Sequence, residues 1–317
     1  MIKKKISIIT PVFNEEENII DCNKSVKEFF LQINNKYDYE HIFVDNSSTD
    51  SSLLKMRQLS ITDKNVKVLV NNQNYGILPS IFNSLKYCKS DYTLVCYAAD
   101  LQDPIDFLLE ALKKSEQGYE IIYAKRNKRH EKILYKYLKK TYYYLAKKLT
   151  NNILKQNVSS FQLISDKVRK EILTVSSNNP FIPYIIQSTT FKKIGIETVW
   201  IERKKNIAKN NFFSLMDEAI NAICNYSGIA SKISFILSFA LFTFSIIFLI
   251  YNVVFLIKEF FVKNIEIANG IPSIIIFNCI MFAAILVILG ILSENVNHLL
   301  QAKIGKKVNI NEKINFD

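Results

Sequence analysis

Glycine is scarce in this chain, with seven residues among 317, and the glycine-rich signatures of nucleotide cradles are missing. No G-x-G-x-x-G follows the first predicted strand, which argues against a dehydrogenase that binds a dinucleotide. No G-x-x-x-x-G-K-[ST] occurs either, so the chain is not a P-loop protein. A nucleotide bound by this chain is therefore expected to lie against carboxylates and a metal ion.

The cysteines and histidines lack the spacings of a metal centre. The five cysteines include no C-x-x-C pair and lie in apolar stretches, which favours reduced core thiols over disulfides or a zinc site. The three histidines lie far apart in the sequence. The amino terminus is not typical of a signal peptide, because its apolar run is too short and no small-residue cleavage site follows. The first two thirds of the chain are therefore expected to stay in the cytoplasm.

Positive charge is in excess, with a formal net charge of +12. Nucleic acid, an anionic membrane surface and phosphorylated substrates all qualify as partners for such a chain. Hydrophobic residues make up 49% and charged residues 22%, which excludes a disordered or fibrous protein. The length allows one large domain or two smaller ones with a sizeable core.

Predicted strands alternate with predicted helices of ten to fifteen residues through the first 125 positions. The strands are predicted at 6–10, 40–45, 66–70, 93–97 and 120–124. This alternation indicates an α/β fold with a doubly wound, mostly parallel sheet. Polar motifs follow successive strands, so Asn14, Glu15, Asp45 and Asp100 are expected to open onto one edge of that sheet.

The stretch 95–104 is the strongest candidate for a chemical site. A buried strand and two small residues lead to Asp100, and Asp100 with Gln102 offers the hard oxygen ligands that Mg²⁺ or Mn²⁺ takes beside substrate phosphates. The alternative is structural, with Asp103 capping a helix that Pro104 opens. That alternative explains Asp103 but not Asp100, and both interpretations stay open at this point.

A basic, aromatic stretch covers residues 125–149. It is compatible with nucleic-acid binding through stacking and charge, with a solvated helix face, or with a helix lying on a membrane. The sequence downstream favours the membrane. Residues 233–257 and 271–292 carry no charge, and each run is long enough to cross a hydrocarbon core of roughly 30 Å. Lysine-rich flanks on both sides place the two ends of this hairpin in the cytoplasm by the positive-inside rule.

The motifs together resemble family-2 glycosyltransferases of the type that includes dolichyl-phosphate mannose synthase and its bacterial polyprenyl-phosphate relatives. The resemblance covers nearly the whole chain, and its motifs are specific in this order and spacing rather than singly. They are Pro11-Val-Phe-Asn-Glu-Glu16, Val44-Asp-Asn-Ser-Ser-Thr-Asp50, Asn74-Tyr-Gly76, Ala99-Asp-Leu-Gln-Asp-Pro104, Ile121-Ile-Tyr-Ala-Lys-Arg126, Phe161-Gln-Leu-Ile-Ser-Asp-Lys-Val168 and Lys209-Asn-Asn-Phe212.

The resemblance implies a GT-A fold and an inverting transfer from a UDP-, GDP- or dTDP-linked sugar, with Mg²⁺ or Mn²⁺ as cofactor. The residues that it assigns to the nucleotide sugar are Pro11, Asn14, Glu15, Asp45, Asn74, Gly76, Ala99 and Asp100. It assigns the metal to Asp100 and Gln102 and catalysis to Asp100 and Arg126. The residues that it assigns to the acceptor's phosphate are Arg126, Arg129, Lys136 and Lys140.

The chain departs from the family's common pattern at several of these motifs. Ala98 stands where many members have the first Asp of D-x-D, and Asn46 stands where they have a second Asp. Ser160 and Gln162 replace an Asp and an Arg, and Gln73 replaces an Arg. A subgroup of the family shares several of these changes, which favours a divergent active enzyme. Whether Ala98, Asn46 and Ser160 weaken or abolish catalysis is left open.

The expected protein is an integral membrane glycosyltransferase with its catalytic domain in the cytoplasm. Its expected parts are a GT-A domain at 1–210, an interfacial amphipathic helix at 211–231, two transmembrane helices within 232–293 and a cytoplasmic tail at 294–317. The expected acceptor is a polyprenyl phosphate used in cell-surface glycan or glycolipid assembly, and nucleic acid is not an expected partner. A lipid-linked saccharide hydroxyl as acceptor, a catalytically silent scaffold and a homo-oligomer stay open, as do the sugar and the base.

Overall fold

The structure is a computed structural model that describes residues 3–126, 158–174 and 308–316, most of 186–201, and scattered helical positions between 240 and 299. The chain divides into two compact units. The first comprises residues 1–210 together with 304–317, and the second comprises residues 211–303.

The first unit is built on a mixed sheet with eight strands in its described part, in the order β7-β5-β6-β4-β1-β2-β3-β8. The strands are β1 Lys4–Val12, β2 Tyr37–Asp45, β3 Val66–Asn71, β4 Tyr92–Val95, β5 Ile121–Arg126, β6 Val158–Ser165, β7 Lys193–Thr198 and β8 Ile310–Ile314. Only β6 and β8 run against the rest. The mostly parallel α/β sheet expected from the sequence is thus confirmed.

Helices lie between the strands. They are α1 Ile19–Ile33, α2 Ser52–Thr62, α3 Ile77–Ser84, α4 Phe107–Glu116 and α5 Asp166–Thr174. The two sheet faces carry separate cores, because successive strand residues point to opposite sides. In β1, Ile8 packs into the core that contains Val26 of α1, whereas Ile9 packs into the core that contains Ile81 of α3.

The thiols in the described part agree with the expected core role. Cys22 and Cys88 are buried free thiols, and burial raises the pKa of Cys88 to about 12. The prediction of reduced core cysteines is therefore confirmed for these two positions.

Two predicted boundaries around the central strand are wrong. The fourth strand ends at Val95 rather than at residue 97, because Cys96 takes a left-handed backbone with φ 61°. The next helix begins at Phe107 rather than at Pro104, since tight turns come first and the N–H of Phe107 donates to the carbonyl of Pro104 at 3.2 Å. The helix after β3 ends at Ser84 and continues as one 3₁₀ turn at Leu85–Tyr87.

The carboxyl-terminal strand β8 returns to the first unit and pairs antiparallel with β3. Arg57 of α2 forms an ion pair with Glu312, and the side-chain amide of Asn315 donates to the carbonyl of Ser60 at 2.6 Å. The backbone N–H of Asn309 donates to the hydroxyl of Tyr75 at 3.3 Å. A segment expected to be only a tail therefore covers one edge of the sheet.

Both predicted spans include residues that the structure does not describe. The described positions within them, among them Ala240, Tyr251, Ile274 and Leu289, are helical. Within the described residues, no helix reaches the length and apolar character that a membrane crossing requires. The predicted interfacial helix at 211–231 lies outside the described residues.

Candidate active site

The carboxyl ends of β1, β2 and β4 meet at one edge of the sheet. Val12 at the end of β1 lies beside Asp45 at the end of β2. The N–H of Asn46 donates to the carbonyl of Val12 at 2.8 Å, and the N–H of Tyr97 donates to the carbonyl of Ile9 at 2.9 Å. The loops that follow these strands therefore start side by side, at the edge where open α/β sheets bind ligands.

These loops hold strained backbone. In the described part, five residues other than glycine have a left-handed φ, and four of them follow these strands. The four are Asn14 at 55°, Ser47 at 64°, Cys96 at 61° and Leu101 at 60°. Each such residue costs on the order of 1 kcal/mol, and strain of this kind concentrates at functional sites. The backbone thus singles out the edge that the polar motifs predict.

The loop after β1 is tied to the loop after β2. The side-chain carbonyl of Asn14 accepts from the backbone N–H of Thr49 at 2.8 Å, and the N–H of Asn14 donates to the hydroxyl of Ser48 at 3.1 Å. The N–H of Glu15 donates to the hydroxyl of Ser52 at 2.9 Å. Two residues predicted to hold the nucleotide are therefore positioned by the neighbouring loop.

Asp45 is a buried carboxyl group at the base of these loops. Its side chain is 1% exposed, and both of its carboxyl oxygens lie 3.3 Å from the backbone nitrogen of Ser48. Burial raises the pKa of Asp45 and outweighs the hydrogen bonds from Ser48, which lower it. A buried acceptor of this kind suits recognition of a ligand N–H group, such as one on a nucleobase edge.

Asn46 is the centre of a polar network that the sequence did not reveal. Its side-chain N–H₂ donates to the side-chain carbonyl of Asn74 at 2.7 Å. Its own side-chain carbonyl accepts from the backbone N–H of Tyr75 at 2.9 Å and from the hydroxyl of Ser80 at 3.0 Å. The sequence signal available was the run of asparagines just after β3. That run predicts a turn, but it does not show that Asn46 is the residue to which the turn is hydrogen-bonded.

Asp100 lines a pocket of about 260 Å³ together with Asp103 and Asp106. One carboxylate oxygen of Asp100 accepts from the backbone N–H of Gln102 at 3.2 Å. The backbone carbonyl of Gln102 in turn accepts from the N–H of Ile201 at 3.0 Å, which ties the predicted metal-binding motif to the chain beyond β7. Asp103 is 4% exposed, so it is a buried residue rather than a solvated cap.

Asp100 and Gln102 alone do not complete the ligand shell of a divalent cation. Within the described residues, no group of three or more His, Cys, Asp or Glu side chains is arranged to hold a metal. Asp100 and Gln102 still offer the hard oxygens that Mg²⁺ and Mn²⁺ prefer, and these ions often complete their shell with waters and substrate phosphates. The residues therefore fit an ion shared with a diphosphate, not an all-protein cage.

A larger cavity, of about 650 Å³, lies at the opposite edge of the sheet near the amino ends of β1 and β2. Among its charged residues, Glu40 is already paired, because it lies 2.7 Å from the ammonium of Lys5 and 3.0 Å from that of Lys67. None of the predicted site residues lines it. We therefore place the candidate site in the smaller pocket and the adjoining loops.

The residues predicted to hold the nucleotide sugar all lie at the carboxyl edge. They are Pro11, Asn14, Glu15, Asp45, Asn74, Gly76, Ala99 and Asp100. Arg126 ends β5, which points the same way as β4 and lies two strand positions away, roughly 10 Å. Its side chain is not described, and Arg129, Lys136 and Lys140 lie outside the described residues.

The two departures on β6 differ in accessibility. Ser160 is partly exposed, and it offers a hydroxyl where many members of the family that the sequence resembles have a carboxylate. Gln162 is fully buried, and its side-chain N–H₂ donates to the carbonyl of Ser159 at 2.8 Å. Its carbonyl oxygen has no hydrogen-bond partner among the described residues. Position 160 therefore supplies no carboxylate that could serve as a general base.

Comparison with known proteins gives relatives along nearly the whole chain. The bactoprenol glucosyl transferase of Shigella phage SfV is 29% identical over 296 residues, which cover 93% of this chain and 94% of that protein. The prophage bactoprenol glucosyl transferase homolog of Escherichia coli strain K12 is 30% identical over 224 residues, covering 70% of this chain and 72% of that protein. An uncharacterized glycosyltransferase of Bacillus subtilis, YkcC, is 28% identical over 296 residues, covering 92% of this chain and 88% of that protein.

Among solved structures, a mannosyltransferase from Pyrobaculum calidifontis in complex with GDP-Man and Mn²⁺ aligns with a TM-score of 0.46 at 13% identity, covering 71% of this chain and 63% of that one. The sequence profile described as glycosyl transferase family 2 matches residues 7–173, which is more than half of the 317-residue chain. The matched span contains the loops after β1, β2, β3 and β4. The chain belongs to glycosyl transferase family 2.

Proposed function

We propose that this glycosyltransferase moves a sugar from a nucleotide-sugar donor to a polyprenyl phosphate at a membrane. The observation that carries the proposal is that Asn14, Asp45 and Asp100 lie at the sheet edge toward which β5, ending at Arg126, also points. One side of the molecule then carries groups for a base, a diphosphate and a second anion. Relatives that match over more than nine tenths of their length are named bactoprenol glucosyl transferases, which supports the lipid acceptor.

The donor nucleotide is proposed to lie along the loops after β1, β2 and β3. Asp45 is proposed to accept a hydrogen bond from the base, because its carboxyl group lies at the carboxyl end of β2, where these loops start. The tied loops of Asn14 and Glu15 form the neighbouring wall, and they are rigid because the loop after β2 supplies their hydrogen bonds. This preorganised shape lowers the entropy lost when the nucleotide binds.

Asp100 and Gln102 are the residues that would hold Mg²⁺ or Mn²⁺. When bound there, a divalent ion would neutralise the negative charge that develops on the departing diphosphate. Asp100 is oriented for this position by the backbone N–H of Gln102 at 3.2 Å. With Ala98 in place of a second carboxylate, we expect weaker metal affinity rather than lost activity.

The acceptor is proposed to be an anion that needs no general base. A phosphate monoester has its second pKa near 6, so it is nucleophilic at neutral pH without losing a proton to the protein. Ser160 fits this acceptor, because a sugar hydroxyl would require a positioned carboxylate and this position has none. Arg126 would dock the phosphate through charge-assisted hydrogen bonds.

The predicted spans at 233–257 and 271–292 are proposed to anchor the protein, with the catalytic unit in the cytoplasm. The test is a transfer assay on the full chain with UDP-, GDP- and dTDP-linked sugars and Mn²⁺. Undecaprenyl phosphate and dolichyl phosphate are offered in parallel with soluble sugars. We expect label to enter the lipid phosphate. Transfer to a soluble sugar or to a lipid-linked saccharide, with none to lipid phosphate, would refute the proposed acceptor.

A further inference from the structure

The side-chain amides of Asn46 and Asn74 are hydrogen-bonded to each other at the rim of the candidate donor site. Asn46 is 3% exposed, whereas Asn74 is exposed at the surface. The side-chain N–H₂ of Asn46 donates to the side-chain carbonyl of Asn74 at 2.7 Å. The same carbonyl accepts from the backbone N–H of Gly76 at 2.9 Å. Gly76 has φ 86°, a backbone conformation that favours glycine, so this bond closes a tight turn.

The orientation of both amides follows from backbone donors. The N–H of Tyr75 can only donate, and it lies 2.9 Å from the side-chain oxygen of Asn46, which fixes that oxygen as the acceptor. The N–H of Gly76 fixes the oxygen of Asn74 in the same way. Asn46 must therefore present its N–H₂ to Asn74. The pair works only if position 46 donates and position 74 accepts.

We propose that Asn46 is a positioning residue for donor binding. It holds the loop after β3 against Asp45 by donating to Asn74 and accepting from Tyr75. Asn46 directly follows Asp45 in the chain, so the loop it secures borders the group assigned to the base. The inference rests on the proposed function, since it names the device that shapes the nucleotide side of that site.

The proposal makes an asymmetric prediction for two substitutions that each replace one N–H₂ group by oxygen. In Asn46→Asp, a buried carboxylate oxygen replaces the N–H₂ group that faces the side-chain carbonyl of Asn74 at 2.7 Å. Two acceptor oxygens at this distance repel each other unless one of the two side chains donates a hydrogen bond. Asn74 then has to turn its own N–H₂ inward, which breaks its bond to Gly76. In Asn74→Asp, the carboxylate still accepts from both Asn46 and Gly76. Its charge is solvated, because position 74 is exposed.

The environment of Asn46 increases this difference. Asn46 and Asp45 are both buried, and burial already raises the pKa of Asp45. A second buried carboxylate beside it adds repulsion and a desolvation cost. The matched variant at position 74 adds the same charge within the same pair. Comparison of the two variants therefore separates the direction of the hydrogen bond from the effect of one more negative charge.

The experiment measures binding of UDP, GDP and dTDP, each with Mn²⁺, to the full-length wild-type protein and to both variants. It is run well below each variant's thermal midpoint, and KM for the donor and kcat are measured where turnover is found. We expect Asn46→Asp to weaken nucleotide binding about tenfold or more and to raise KM more than it lowers kcat. We expect Asn74→Asp to weaken nucleotide binding less than Asn46→Asp does, because its carboxylate still accepts from both Asn46 and Gly76.

Equal affinity in the two variants, or a loss confined to kcat, would overturn the positioning role of Asn46. If the wild-type protein bound none of the three nucleotides, the proposed function would fail. The thermal midpoints would then still test the hydrogen-bond direction, because Asn46→Asp should lower the midpoint and Asn74→Asp should not. A drop of the same size in both variants would contradict the pair itself.

Discussion

His41 gives a quantitative prediction about the pH dependence of stability. The ring is fully buried between β1 and α1: its Nε2 lies 2.9 Å from the hydroxyl of Thr10, and its Nδ1 lies 3.1 Å from the side-chain oxygen of Asn23. The oxygen of Asn23 can only accept, so Nδ1 carries the proton and Nε2 accepts from Thr10. Burial lowers the pKa of His41 from 6.5 to about 3, and the ring is neutral in the folded protein.

The sign and the size of the effect follow from the two pKa values. Between pH 6.5 and about 3 the unfolded chain binds a proton at His41 that the folded protein does not bind, so the free energy of unfolding falls as pH falls. The slope is at most about 1.4 kcal/mol per pH unit, which gives about 2 kcal/mol between pH 6.5 and pH 5. Above about pH 7.5, where the unfolded chain no longer binds this proton, the contribution is constant.

Equilibrium urea unfolding of the full chain in detergent micelles, followed by circular dichroism, measures this slope. The reference is His41→Gln, which does not titrate and therefore removes only the proton linkage at this position. Glu40 and Asp50 have a lowered pKa, so their contributions are lost at more acidic pH. Asp45, with a raised pKa, acts with the opposite sign. Because these groups are present in both proteins, equal slopes for wild type and variant between pH 6.5 and 5 would refute the reasoning.

Two further predictions concern the strands that frame the site. A Cβ at Gly195 would lie 2.5 Å from the ring of Tyr123 and against the side chain of Lys125. Gly195→Ala should therefore lower both the thermal midpoint and the transfer rate. An unchanged midpoint would contradict this packing. Removal of residues 308–317 uncovers β3 and deletes the hydrogen bond from the N–H of Asn309 to the hydroxyl of Tyr75. The truncated chain should therefore bind the donor nucleotide more weakly, as measured by titration calorimetry. Tyr75→Phe should reproduce only part of that loss.

The parallel part of the fold could be predicted because its strands are short apolar runs set between amphipathic helices. Ile6, Ile8 and Ile9 are all fully buried, and such continuous apolar runs are typical of parallel strands covered on both faces. The antiparallel strands gave weaker signals. In β8, Ile310 and Ile314 flank Glu312 on one partly exposed face, and five residues of this kind do not reveal a sheet partner some 240 positions away.

The candidate site was predictable as a set of loops but not as a set of contacts. Strand ends followed by acidic and amide residues identified the edge, because parallel strands bring their carboxyl ends together. The network around Asn46 required knowledge of which backbone N–H groups lie nearby, and sequence spacing does not carry that information. The late start of α4 has the same origin, since the left-handed backbone at Leu101 and the burial of Asp103 depend on tertiary packing.

Asp100 is the residue on which the proposed reaction depends most. The most direct measurement is the rate of label transfer from the nucleotide sugar to undecaprenyl phosphate by the full-length protein, for wild type and Asp100→Asn, with and without Mn²⁺. The account predicts transfer that requires the ion in the wild-type protein and almost disappears in the variant, whose thermal midpoint stays close to that of wild type. Transfer by the variant at the wild-type rate, or transfer by the wild-type protein that is indifferent to the ion, would contradict it.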